Sequence, residues 1–75
     1  MDTVRFENPP LSFNASILFI EKQDEVCFKI FADGIPIGFI ITRNDEWNCH
    51  IERNSTDPDK QFLIDAAKSL NNFSR

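Results

Sequence analysis

Residues 31–40 read FADGIPIGFI. Asp33-Gly34 is a hairpin signal, because both central residues of a type I′ turn need positive φ and this pair tolerates it. The flanks of the turn are apolar almost without a break. A strand with one wet face should alternate apolar and polar residues. A hairpin apolar on both faces, in so short a chain, poses the question that organises the rest of the sequence.

A two-residue turn sets Ala32 opposite Ile35, Phe31 opposite Pro36 and Ile30 opposite Ile37. Continued without interruption, it sets Lys29 against Gly38, Phe28 against Phe39, Cys27 against Ile40 and Val26 against Ile41. Alternation along each strand then gives one face of Val26, Phe28, Ile30, Ile37, Phe39 and Ile41. The opposite face takes Cys27, Lys29, Phe31, Pro36, Gly38 and Ile40.

Upstream, LSFNASILFIE (residues 11–21) is rich in strand-favouring side chains, and KQDE turns the chain into EVCFKIFA. A tight Gln23-Asp24 turn puts Phe19 opposite Phe28 and Ile17 opposite Ile30, which sends Leu18 and Ile20 to the second face. Downstream, RNDE turns into EWNCHIER (residues 46–53), which alternates cleanly. A two-residue Asn44-Asp45 turn would carry Trp47, Cys49 and Ile51 to the second face, and a three-residue turn to the first. The three-residue turn is expected, because it buries Trp47 beside Ile41 and leaves Asn48, His50 and Glu52 to water.

At residues 55–73 the period changes. STDPDKQFLIDAAKSLNNF offers Thr56 or Asp57 as N-cap and Pro58 in the first turn, with Asp57 and Asp59 where the helix dipole favours negative charge. Phe62, Leu63, Ala66, Ala67, Leu70 and Phe73 form one apolar stripe, with Lys60, Asp65, Lys68 and Asn72 facing away. Residues 1–10, MDTVRFENPP, read as an extended lead-in, since Pro9-Pro10 blocks a helix. The expected fold is α+β: a single small domain over residues 1–75, with the lead-in at 1–10, a four-stranded antiparallel meander at 11–53 and one C-terminal amphipathic helix at 57–73 packed on one sheet face (β-β-β-β-α).

The totals agree with one such core. The chain has 75 residues, 41% of them apolar, with eight Phe. No apolar run approaches the ~18 residues of a membrane span. The N-terminus lacks the cationic head and apolar stretch of a secretory signal. The chain is therefore expected to be a complete small cytoplasmic protein with no membrane partner. Cys27 and Cys49 point to opposite faces and read as free thiols. In such a protein the sequons at Asn14 and Asn54 carry no weight.

No catalytic, cofactor or metal residues are expected. Cys49 and His50 are adjacent on a strand and point apart. Cys27 and His50 are two strands apart, roughly 9–10 Å. One His and two opposed cysteines do not make a tetrahedral metal set, and two glycines make no phosphate loop. Lys29 and Glu52, flanking Gly38, read as a surface ion pair, and Asp57, Asp59 and Asp65 as capping and solvation.

One helix covers one face of a sheet. The second apolar face, Leu18, Ile20, Cys27, Phe31, Pro36 and Ile40, is thus the candidate partner surface, unless the N-terminal segment with Val4, Phe6, Pro9, Pro10 and Leu11 folds back over it. The expected function is a non-enzymatic interaction module, binding a protein partner or itself as a homodimer through that face or a sheet edge, with LSFNASILFI as a pairing-competent edge. The alternative is a nucleic-acid-binding sheet-plus-helix domain using Lys29, Arg43 and Arg53 beside Phe31. The net charge of −4 and the absence of a basic stripe oppose it.

Overall fold

The computed structural model describes residues 3–52 and 56–73. Its elements are β1 (Thr3–Glu7), a single 3₁₀ turn (Leu11–Phe13), β2 (Ile17–Lys22), β3 (Cys27–Ala32), β4 (Ile35–Arg43), β5 (Glu46–Ile51) and the helix α1 (Asp57–Phe73). The strands form one sheet in chain order, each antiparallel to the next. The fold is α+β with an antiparallel meander and one C-terminal helix.

The sheet has five strands, not four. The supposed lead-in contains β1, with Val4 opposite Ile20 and Phe6 opposite Leu18. Val4 and Phe6 pack against the core on the helix side, so this segment does not fold back over the other face. Residues 11–16 are not strand. Asn14, left-handed at φ 49°, closes the 3₁₀ turn by donating its N–H to the Leu11 carbonyl at 2.9 Å. β2 is therefore an inner strand, and LSFNASILFI is no edge.

Four local features set the register. Asp33 (φ 51°) and Gly34 (φ 82°) make the positive-φ turn between β3 and β4. The Asp33 carboxylate also accepts the N–H groups of Ser16 (3.0 Å) and Ile17 (2.9 Å), tying this turn to the start of β2.

Between β2 and β3 the turn is longer than two residues. Cys27 O accepts from Gln23 N–H (2.9 Å) and Asp24 N–H (3.3 Å), and Asp24 Oδ1 accepts from Val26 N–H (2.8 Å). Lys22 thus lies opposite Phe28 and Ile20 opposite Ile30. That offset inverts β2, so Leu18 and Ile20 face the helix and Ile17 and Phe19 face away.

Within β4, Phe31 pairs with Pro36 but Ile30 pairs with Gly38, leaving Ile37 as an extra residue. This is a β-bulge. Pro36 has no N–H to give to an inner ladder, which favours a break there. Past the bulge β4 is inverted, so Ile40, opposite Phe28, is covered and Phe39, opposite Lys29, is open. Gly38 lies on the helix side, where a Cβ would collide with the His50 carbonyl oxygen and come within 2.9 Å of Ile51 Cα.

The turn into β5 has two residues, Asn44 (φ 53°) and Asp45 (φ 65°), with Arg43 opposite Glu46. Trp47, Cys49 and Ile51 nonetheless face the helix, because the bulge had already inverted β4. Trp47 lies opposite Thr42 rather than beside Ile41. It packs its ring 5.7 Å from that of Phe28, with Lys68 Nζ 5.8 Å from its centre.

Phe28, Leu18, Ile20, Ile30, Ile40 and Leu63 are fully buried between sheet and helix. Each contributes about 1.5–3 kcal/mol by leaving water. The helix stripe is Leu63, Ala66, Ala67 and Leu70, with Phe62 half-buried against Phe6 (4.9 Å between rings) and Phe13 (6.2 Å). The side chains of Asn72 and Phe73 lie outside the described residues.

The helix begins in a reciprocal cap. Thr56 Oγ1 accepts from Asp59 N–H (3.4 Å), and Thr56 N–H donates to Asp59 Oδ2 (3.1 Å). Asp59 is not a solvated acid. It is buried, and its Oδ1 accepts the Ser12 hydroxyl at 2.7 Å, which clamps the 3₁₀ turn to the helix.

Candidate interaction surface

Among the described residues, no element lies over the sheet face opposite α1. Its side chains follow from the register. One row across the strands reads Arg5, Phe19, Phe31, Pro36, and the next reads Thr3, Glu21, Lys29, Phe39, His50. Beyond these lie Cys27, Ile41 and Asn48. Ile17 sits at the opposite end, across from Glu7.

The apolar part is continuous. Phe19 and Phe31 stack with ring centroids 4.7 Å apart and planes 12° from parallel. Phe39, 41% exposed, packs against the His50 ring at 5.0 Å. Pro36 is exposed, and Ile17, Cys27 and Ile41 are half-buried. A shallow hollow of about 600 Å³ opens beside Phe19, lined by Thr3, Arg5, Ile17, Asp33 and Gly34.

Of the six residues expected on this face, Cys27, Phe31 and Pro36 lie there. Leu18, Ile20 and Ile40 do not, being fully buried under the helix for the register reasons given above. In their place stand Ile17, Phe19, Phe39 and Ile41. The signal for the last two was in the sequence: a Pro and a Gly two residues apart inside a strand mark a bulge. Nothing comparable marks the offset of β2, which depends on how the Asp24 side chain folds the turn.

The charges are mixed in sign. Arg5 pairs with Glu7 at 3.7 Å. Glu21 lies directly across from Lys29 and accepts a hydrogen bond from Gln23 at 2.8 Å. Lys29 makes no ion pair among the described residues. The expected Lys29–Glu52 pair across Gly38 is not formed, because Phe39 rather than Gly38 stands beside Lys29. Arg43 lies across from Glu46, and Arg53 lies outside the described residues.

The two thiols are free and on opposite faces. Cys49, under the helix edge, has its pKa pushed up to about 11 by burial, partly offset by the Lys60 charge. It is a protonated, inert thiol at neutral pH. His50 is held against Phe39, remote from it across the sheet. No set of three metal-ligating side chains gathers among the described residues. No helix among them is long and apolar enough to cross a membrane.

The sequence matches no known protein-family model, no curated protein and no solved structure.

Proposed function

We propose that this chain is a small, non-enzymatic interaction module that docks a protein partner through the open face of its sheet. The observation that carries this reading is the unbroken apolar band of Phe19, Phe31, Pro36, Phe39 and Ile41, over which no described element lies. An antiparallel sheet with one solvated face ordinarily presents polar residues there. A contiguous apolar patch with a mixed-charge rim is the make-up of a protein-binding surface, and aromatic residues anchor such contacts.

Phosphate binding is a poorer fit, since Arg5, Lys29 and Arg43 alternate with Glu7, Glu21 and Glu46 on the same face. Two free thiols on opposite faces suit a reducing, cytoplasmic setting.

The test is to compare wild type with Phe31→Glu and Phe39→Glu, first for folding by urea denaturation and then for complexes trapped by crosslinking in extracts of the native cell. Both variants should stay folded and lose the complexes that wild type forms. Complexes kept intact by both folded variants would overturn the reading.

A further inference from the structure

We propose that the docked partner is a second copy of this chain, stacked face to face about a twofold axis that runs parallel to β2 and β3, midway between them. This rests on the open face being a docking surface, and it adds the identity and register of the partner.

The argument is charge complementarity. The open face places Phe19 across from Phe31, and Glu21 across from Lys29 in the next row. A twofold axis along the strands, between β2 and β3, lays each β2 over the β3 of the other copy at the same height. Phe19 then meets the partner's Phe31, and Glu21 meets the partner's Lys29, each contact occurring twice. Four aromatic rings form the centre, flanked by two ion pairs. Lys29, which has no ion pair among the described residues, acquires one.

Other face-to-face axes fail on the same residues. An axis along β3 stacks Lys29 on Lys29, and one along β2 stacks Glu21 on Glu21. An axis across the strands, between the two rows, sets Lys29 over Phe31 and Glu21 over Phe19, which puts a carboxylate against the negative face of a ring and gives neither charge a counter-ion. Like charges in contact across an interface are strongly disfavoured, and of these four axes the one between β2 and β3 alone gives both Glu21 and Lys29 an opposite charge.

The geometry allows it. Sheets pack face to face about 10 Å apart with strands within about 30° of parallel, close enough for Glu and Lys side chains to meet. The two longer dimensions of the chain are 31 and 23 Å, about 700 Å² in projection. The axis between β2 and β3 overlaps β1–β4 of each copy with β4–β1 of the other and leaves β5 outside, so the shared area is smaller than this projection and below the ~800 Å² each partner gives to a standard stable interface, as for a weak dimer.

Sedimentation equilibrium over a concentration series tests this with four proteins: wild type, Glu21→Lys, Lys29→Glu and the double swap. Wild type should dimerise, and each single variant should dimerise at least roughly tenfold more weakly. An equimolar mixture of the two single variants should form heterodimers, because one chain then carries a lysine at both positions and the other a glutamate at both. The double swap should restore the homodimer, and circular dichroism confirms that all four fold.

Wild type remaining monomeric up to about 1 mM, or a mixture that fails to associate, would overturn the second-copy proposal. If Phe31→Glu still loses its crosslinked complexes in that case, the docking surface stands with a different partner. A wild-type dimer unaffected by Phe31→Glu forms through another surface and overturns the second-copy proposal.

Discussion

Phe19 and Phe31 lie directly across from one another on β2 and β3, on the face away from the helix, with stacked rings 4.7 Å apart. Each ring shields the other, which is why both are half-buried although no described element lies over them. The pair lowers the cost of leaving an apolar face open in the single chain, while still presenting a flat aromatic platform.

That stacking is measurable. Phe19→Ala and Phe31→Ala, with the double variant, form a cycle in which the coupling should be about 0.5–1.5 kcal/mol. Urea denaturation at dilute concentration gives the three stability changes. A coupling near zero would show that the rings do not stack in solution.

The bulge at Ile37 makes opposite predictions for two neighbouring isoleucines. Ile40 is fully buried, opposite Phe28, and Ile40→Ala should cost about 2–5 kcal/mol. Ile41 is half-buried on the open face, and Ile41→Ala should cost less than about 1.5 kcal/mol. Denaturation midpoints decide between them, and the reverse order would mean that β4 runs without a bulge.

Asp59 should give the fold a dependence on acid pH. The Ser12 hydroxyl, first, and the Thr56 N–H hold its carboxyl below its ordinary value of 3.8. The folded chain therefore binds this proton less readily than the unfolded chain. The contribution of Asp59 is fully present above the unfolded value and is lost as pH falls through the folded one. Asp59→Asn should be less stable than wild type at neutral pH and should lose less stability on acidification. Stability measured by circular dichroism from neutral pH down to about pH 2 checks this, and parallel acid limbs would refute it.

The cysteines should react in a fixed order. Both thiols are half-buried, Cys27 on the open face and Cys49 on the helix side, but burial raises the pKa of Cys49 to about 11. At about pH 8 only on the order of one Cys49 in a thousand is thiolate. Iodoacetamide labelling followed by peptide mass spectrometry should show Cys27 modified first, with Cys49 reacting only on unfolding. Early alkylation of Cys49 would contradict its placement.

Features held by a few neighbouring residues are legible in the sequence. The Asp33-Gly34 turn and the helix with its Leu63, Ala66, Ala67 and Leu70 stripe both follow from local spacing. β5 shows how far such reasoning carries. Trp47, Cys49 and Ile51 face the helix, as expected, but through a two-residue turn preceded by a bulge rather than through a three-residue turn. Two departures of one residue each cancelled.

The sequence by itself therefore determined the helix, four of the five strands, their meander order and the fact that both hairpin faces are apolar, while β1 read as an extended lead-in. Tertiary structure decided which side chains occupy which face. A strand's side chains alternate with a period of two, so one residue of offset exchanges core for surface along its whole length. That offset is set by contacts between strands: Asp24 folding its own turn, Pro36 withholding an N–H, and Gly38 letting the His50 backbone approach. Leu18, Ile20 and Ile40 went under the helix by those contacts, and Phe19, Phe39 and Ile41 were left facing out.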